Sequence, residues 1–356
     1  MRAKFLCLPL ALLLLLPCAL YAQTVIRTPD TTQPLATRWQ WALQKADSTE
    51  CGHGCWIGYS IERRMNRDSY IGSWNDFDTS QPSLGEIIYG KRVVPGTSTA
   101  DGKVSKQVAL LFRVDPKTHA IAATEFSNLS HSVTLHAPLI WIGRSADAPS
   151  LDLVEGFYAR THATDVKKHL LTAIGLHDSR KLVVPFLGKV LNGQAADEVR
   201  GAAAFWLGQG GPDALELLTH AARNDRSERV REKAVFAISL IKSPAATDTL
   251  IDLAEHANDR GVREKALFWL AQVASKKAVA ALAGVAQDDP DVDIRKKAVF
   301  ALSRLPADQG VPRLIKIAKT SRSVEVRKQA IFWLGQSGDP RAVQVLAKIA
   351  RGDSKR

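Results

Sequence analysis

From Glu198 onward the chain states one pattern five times: EVRGAAAFWLGQ, RVREKAVFAISL, GVREKALFWLAQ, DIRKKAVFALSR and EVRKQAIFWLGQ. In register, an aliphatic residue stands at Val199, Val230, Val262, Ile294 and Val326. Arginine follows each one, at Arg200, Arg231, Arg263, Arg295 and Arg327. Alanine lies four positions past the aliphatic residue (Ala203, Ala234, Ala266, Ala298, Ala330). Phenylalanine lies six past it (Phe205, Phe236, Phe268, Phe300, Phe332), and Leu207, Ile238, Leu270, Leu302 or Leu334 lies eight past it. The spacings are 31, 32, 32 and 32 residues. Self-similarity at such a period marks a solenoid of stacked supersecondary units and excludes most closed folds.

Positions 0, +4 and +8 share one flank of a helix. Adding +5, +6 and +7 makes the second half of each helix apolar nearly all round, which predicts a surrounded helix with the five phenylalanines in the repeat core. Between these helices lie second periodic segments, such as Thr249 to His256 and Ala278 to Val285. Breakers stand at the joins: Gly211-Pro212, Ser243-Pro244, Pro306 and Asp339-Pro340. Each period is therefore read as helix, turn, helix.

The V-R-x-x-A-x-F-x-L core, with L-G-Q closing some of the helices, resembles the HEAT repeat, in particular its bilin-lyase-type HEAT-like variety. The resemblance implies a mainly α fold, an α-solenoid of about six helical hairpins, with the Val-Arg helix on the concave face. It also implies that the recurrent arginines pair with turn aspartates in a ladder between repeats. Asp225, Asp259, Asp289 and Asp291 precede their arginines at short range, whereas Arg200 and Arg327 have no aspartate at that spacing, although Asp197 is near Arg200. The register continues weakly backwards through Val166, Leu170, Ile174 and Gly175, and one step earlier Trp141-Ile142-Gly143-Arg144 aligns with Trp206 to Gln209. Residues 136–196 are accordingly read as degenerate first repeats and 197–356 as regular ones.

The chain opens MRAKFLCLPLALLLLLPCALYAQ: two positive charges, an apolar run too short to span a bilayer, then Ala22. That is the pattern of a secretory signal peptide over residues 1–22, cleaved after Ala22, and it predicts an exported, periplasmic or extracellular protein. Beyond it only Cys51 and Cys55 remain, in Cys-Gly-His-Gly-Cys. A small-loop disulfide is the simpler reading, and metal binding with His53 would lack a fourth ligand. Residues 23–49 read as a loose leader with a short helix from Leu35 to Lys45. Residues 50–135 read as a small antiparallel β-rich domain. There Ile57, Tyr59 and Ile61 alternate with smaller or polar residues, as do Val108, Leu110, Phe112 and Val114, and Asp115 to Thr118 turns the chain back through Ile121 and Phe126. Weaker strands are predicted near Tyr70 to Trp74, Leu84 to Tyr89 and Ser132 to Leu135. Leu139 to Ile142 fits either strand or half-helix. The length suffices for two domains with cores of their own.

Charge divides the chain. Residues 23–165 hold 14 basic and 15 acidic side chains, whereas residues 166–356 hold 32 and 21, so the excess of +11 lies in the repeats. Lys233, Lys265, Lys297 and Lys328 recur near the arginines and form a candidate binding face for an acidic polymer, through summed field and counterion release; a solvated surface is the plainer reading. Trp206, Trp269 and Trp333 stand at +7 in alternate repeats, where aromatic rings bind sugars or bases or simply pack.

No H-E-x-x-H, G-x-S-x-G, phosphate-cradling glycine loop or paired-cysteine zinc spacing occurs. Deoxyhypusine hydroxylases, which are HEAT-like, hold iron with His-Glu pairs, and this chain contains no His-Glu dipeptide. The expectation is a non-enzymatic, cofactor-free scaffold that binds a protein partner. An acidic polymer is the alternative ligand, nucleic acid is disfavoured by export, and an enzyme site in or beside the N-terminal domain is the alternative of a different class.

Overall fold

The computed structural model describes residues 24–351 apart from 48–50, 52–53, 73–80, 95 and 97–101. The leader segment with its cleavage site after Ala22, His53 and Trp74 lie outside the described residues. The elements begin with β1 (Val25–Arg27), α1 (Leu35–Ala46), β2 (Cys55–Asn66), α2 (Leu84–Tyr89), β3 (Lys103–Val114), β4 (Ile121–Asn128) and β5 (Leu139–Arg144). Helices follow without interruption: α3 (Asp147–Arg160), α4 (Thr164–Gly175), α5 (Arg180–Leu191), α6 (Asp197–Gln209), α7 (Leu215–Asn224), α8 (Glu228–Leu240) and α9 (Pro244–His256). The array ends with α10 (Arg260–Val273), α11 (Lys276–Asp288), α12 (Val292–Ser303), α13 (Ala307–Thr320), α14 (Val324–Gln336) and α15 (Pro340–Ala350). Among the described residues no helix is long and apolar enough to cross a membrane.

The fold is mainly α, and α3 to α14 form six antiparallel hairpins with α15 as the last layer. Turn chemistry sets the joins. Side chains of Ser243, Asp259, Ser275, Asp291, Ser323 and Asp339 accept backbone N–H groups at the starts of α9, α10, α11, α12, α14 and α15, satisfying donors that a helix start leaves free. Pro244 and Pro340 occupy the first turn, where no N–H is needed. The Val-Arg helices α6, α8, α10, α12 and α14 pack more closely on one another than α7, α9, α11 and α13 do. That crowding puts them on the inner side of the curve.

The N-terminal sheet differs from the sequence reading in five ways. It is mixed rather than antiparallel, in the order β1-β5-β2-β3-β4, with β5 parallel to both β1 and β2. The supposed leader supplies β1, because Val25 and Ile26 find Leu139 and Ile140 as partners. Trp141 to Arg144 is the end of strand β5, not a half-repeat, so the sheet extends past the boundary drawn at residue 135. Leu84 to Tyr89 is a helix, since Ser83 and Glu86 close a reciprocal capping box and Gly90 takes a left-handed C-cap. The segments around Tyr70 and from Ser132 to Leu135 lie in no ladder, although Val133 and Leu135 are buried.

One face of the sheet shares its core with the helical array, and the other has a small core of its own. Ile57, Tyr59, Ile61, Val108, Leu110, Phe112 and Ile140 belong to one apolar cluster that runs through α1, α3 and the repeats as far as Ala342. The alternate residues Ala109, Leu111, Leu139 and Trp141 face a second, smaller cluster with Leu84 and Ile88 of α2. The period of two in β3 and β5 thus serves two opposite faces. Cys51 and Cys55 form a disulfide with Cα atoms 5.3 Å apart, both buried against the larger cluster.

The candidate binding face

The arginines of the repeat sit on the buried flank. At about 100° per residue, position +1 falls beside the stripe formed by 0, +4 and +8. Arg200 is 1% exposed and donates to Asp225 through Nη2 at 2.8 Å and Nε at 3.2 Å, to Asp197 at 2.9 Å, and to the Ala195 carbonyl at 2.7 Å. Arg231 reaches Asp259 at 2.5 Å and the Asp225 carbonyl at 2.8 Å. Arg263 pairs with Asp289 and donates to the Ala254 carbonyl at 2.9 Å. Each of these arginines therefore pairs with an aspartate from the turn of the following repeat, and Arg200 also with Asp197 at the start of its own helix. Arg295 and Arg327 donate to the carbonyls of Asp289 and Ser321 at 2.6 Å, and no side-chain carboxylate partner is seen for them among the described residues.

The phenylalanines do not fill the repeat core. Position +6 falls about 240° round the helix, opposite the 0, +4, +8 stripe. Phe268 is 40% and Phe332 53% exposed, and Phe205, Phe236 and Phe300 are half-buried. The core is made instead by positions 0, +4 and +8, every one of them 1% exposed or less. Reading the helix end as apolar all round overlooked that +2, +3, +6 and +10 share one outward ridge.

On that ridge the rings touch across repeats. Phe205 stacks on Phe236 at 6.3 Å, Phe236 meets Trp269 at 4.9 Å, and Trp269 meets Phe268 at 5.0 Å. Trp206 joins through Phe205 at 5.3 Å, giving a five-ring run over α6, α8 and α10. A second run links Phe300, Trp333 and Phe332 at 5.1 and 4.9 Å over α12 and α14. Each +7 tryptophan leans back onto the preceding repeat. Trp206 does so against Gly175, where a Cβ would lie 2.2 Å from the indole. The tryptophans are half-buried, so they both pack and present an edge.

The lysine row borders these rings. Lys265 pairs with Glu232 at 3.3 Å and Lys297 with Glu264 at 2.9 Å, each taking a carboxylate from the helix before it. Lys233 lies over Gly201, at the place where that glutamate would stand. Lys328 is exposed on α14 and helps lower the Glu325 pKa, behind the Ser323 and backbone hydrogen bonds that lower it most. The basic character of this face is therefore partly neutralised in its middle, whereas among the described residues no ion pair is seen for Lys233 or Lys328. Its chemistry is that of an aromatic ridge with charged borders, suited to apolar side chains flanked by carboxylates.

A second polar cluster, invisible to the sequence reading, joins sheet to array. The His177 Nδ1–H donates to the Ala173 carbonyl at 2.9 Å, which leaves Nε2 to accept from the Ser150 hydroxyl at 2.7 Å. The Tyr59 hydroxyl lies 2.7 Å from the same Ser150 oxygen. All three residues are 0% exposed, so the serine–imidazole pair meets no substrate and acts as a joint. Burial pushes the His177 pKa down, opposed by Asp147 and by the Ile174 and Ala173 carbonyls, while Arg63 adds to the depression. Arg63 itself donates to the Gly175 carbonyl at 3.0 Å. Among the described residues no group of three or more His, Cys, Asp or Glu is placed to hold a metal.

No curated protein matches the chain in sequence. Among solved structures, the CpcE–CpcF complex of phycocyanin lyase from Nostoc sp. PCC7120 is similar at 26% identity, over 42% of this chain and 96% of that one, with a TM-score of 0.32. Human deoxyhypusine hydroxylase is similar at 19% identity over 58% and 80%, with a TM-score of 0.26. The S. pombe condensin Cnd3–Cnd2 subcomplex is similar at 19% over 58% and 32%, with a TM-score of 0.34. None of these likenesses is close enough to carry a residue's role across. A family model of HEAT repeats matches residues 184–271, 248–319 and 279–356, and with the hairpins and inner-face arginines described above, residues 184–356 of this chain belong to the HEAT-repeat family.

Proposed function

We propose that this protein is an exported, non-enzymatic scaffold that holds a protein partner on the inner face of its HEAT array. The single observation that carries this reading is the row of outward +6 phenylalanines, linked into two runs by the +7 tryptophans. Exposed contiguous aromatic surface mostly marks an interaction site, and rigid rings are the usual anchors of an interface. The lysines along the same ridge give the partner segment its sign: apolar side chains seated on the rings, carboxylates toward Lys233 and Lys328. Export rests on the charged and apolar pattern of residues 1–22.

The test is capture from an envelope extract by immobilised protein over a salt series, with Phe268→Ala/Phe332→Ala and Lys233→Glu/Lys328→Glu proteins in parallel. Protein capture that survives high salt and disappears with the ring substitutions supports the reading. Capture of an acidic polymer that elutes with salt and disappears only with the lysine reversals would replace it.

A further inference from the structure

Strands β1 and β5 run parallel, so their carboxyl ends, at Arg27 and Arg144, lie at the same side of the sheet. In sheets with parallel strands that side is where ligands are held. Here Arg27, Thr31, Tyr89, Trp141, Gly143 and Arg144 line most of a cavity of about 350 Å³, the size of one small organic molecule.

The walls of this cavity are held in place from behind. Trp141 is buried, and its indole N–H donates to the Tyr89 hydroxyl at 3.1 Å with the two rings edge to face. Tyr89, 41% exposed, is thereby fixed as one wall. Arg27 is anchored at the end of α2 by the carbonyls of Ile88 at 2.6 Å and Ile87 at 3.2 Å. Arg144, at the end of β5, pairs with Glu62 at 2.9 Å. Gly143 has φ +88°, and a Cβ there would lie 2.9 Å from Thr31, so only glycine lets the loop after β1 close over the strand end. The buried Arg38 of α1 donates to the carbonyls of Ile142 and Arg144 and pins that same strand end.

Arg27, Arg144, Thr28, Thr31 and Tyr89 are among the lining residues, and no acidic residue is among the described ones. Guanidinium matches a carboxylate in planar geometry and charge. We infer that this cavity binds a small hydroxylated organic acid, its carboxylate held by Arg27 and Arg144 and its body against the Tyr89 ring. The site lies apart from the aromatic ridge of the repeats and stands or falls independently of it.

Isothermal titration calorimetry of the full chain with glucuronate tests this, with glucose as the uncharged counterpart and sulfate as the bare anion. Glucuronate should bind, glucose should give no heat, and sulfate should bind at least about tenfold more weakly. Arg144→Gln, at an exposed side chain, should weaken glucuronate about tenfold or more with an unchanged unfolding midpoint. Arg27→Lys, which keeps the charge and loses the fork, should also weaken it, whereas Lys233→Gln should not. Absence of glucuronate binding, glucose or sulfate binding as tightly, or full affinity in Arg144→Gln would each overturn the assignment.

Discussion

The inner-face arginines fall into two sets that share one motif and differ in outcome. Arg200, Arg231 and Arg263 each close on an aspartate of the following repeat, at Asp225, Asp259 and Asp289. Arg295 and Arg327 end on backbone carbonyls, and Ser321 stands where the fourth aspartate would be. In both sets an Nε stays buried without a hydrogen-bond partner, at Arg231 and at Arg295, so the carboxylate is what separates them. A repeated motif thus fixes where a side chain points, but its energy depends on a residue one repeat further along. The arginine–aspartate ladder runs from Arg200 to Asp289, and beyond it, among the described residues, the repeat arginines hold only backbone carbonyls.

Substitutions can break that contrast. Asp225→Ala should give the largest effect, because it leaves Arg200, almost fully buried, with the half-exposed Asp197 as its one carboxylate partner. Removing one partner of a buried pair costs about 3 kcal/mol or more, to be read by urea unfolding, and a loss below about 1 kcal/mol would merge the two sets. Ser321→Asp should sharpen it from the other side. A carboxylate there should meet Arg295 and stabilise by about 1 kcal/mol, and a destabilised variant would show that the last turns are built differently.

The sheet–array joint should respond to pH where the ladder does not. Burial holds His177 neutral, with a folded pKa below its ordinary value near 6.5. The unfolded chain then binds more protons, so this contribution to stability is complete above about pH 6.5 and is lost as pH falls toward the folded pKa. Asp259 and Asp197, whose pKa values are lowered, lose their contribution only at lower pH, below the usual carboxylate range. His177→Gln should flatten the pH dependence of the unfolding midpoint below about pH 6.5, and an unchanged slope would remove His177 from the account. Least affected should be Lys297→Gln, whose pair with Glu264 is half-exposed. It should change stability by less than about 0.5 kcal/mol.

What was legible in the sequence was local and repeated. The hairpins, the buried 0, +4, +8 stripe, the joins at Ser243-Pro244 and Asp339-Pro340, and strands β2, β3 and β4 all follow from periodicity and turn chemistry. The parallel pairing of β1 with β5 was not legible, since Val25 and Leu139 are far apart in the chain and three-residue β1 carries too little pattern. The Tyr59–Ser150–His177 joint was hidden for the same reason. The outward phenylalanines were legible and misread: counting apolar residues hid an angle of about 240° that simple helix geometry supplies. The lysine–glutamate pairs follow from adjacent positions +2 and +3 in successive repeats, a relation visible only once the repeats are stacked.

Phe332 and Phe268 place the outward ridge most directly on trial. Urea unfolding of Phe332→Ala and Phe268→Ala should shift stability by no more than about 1 kcal/mol while partner capture is lost. Losses of about 3–5 kcal/mol, the cost of emptying a buried phenylalanine site, together with capture that persists in whatever protein stays folded, would contradict the aromatic face as the working surface.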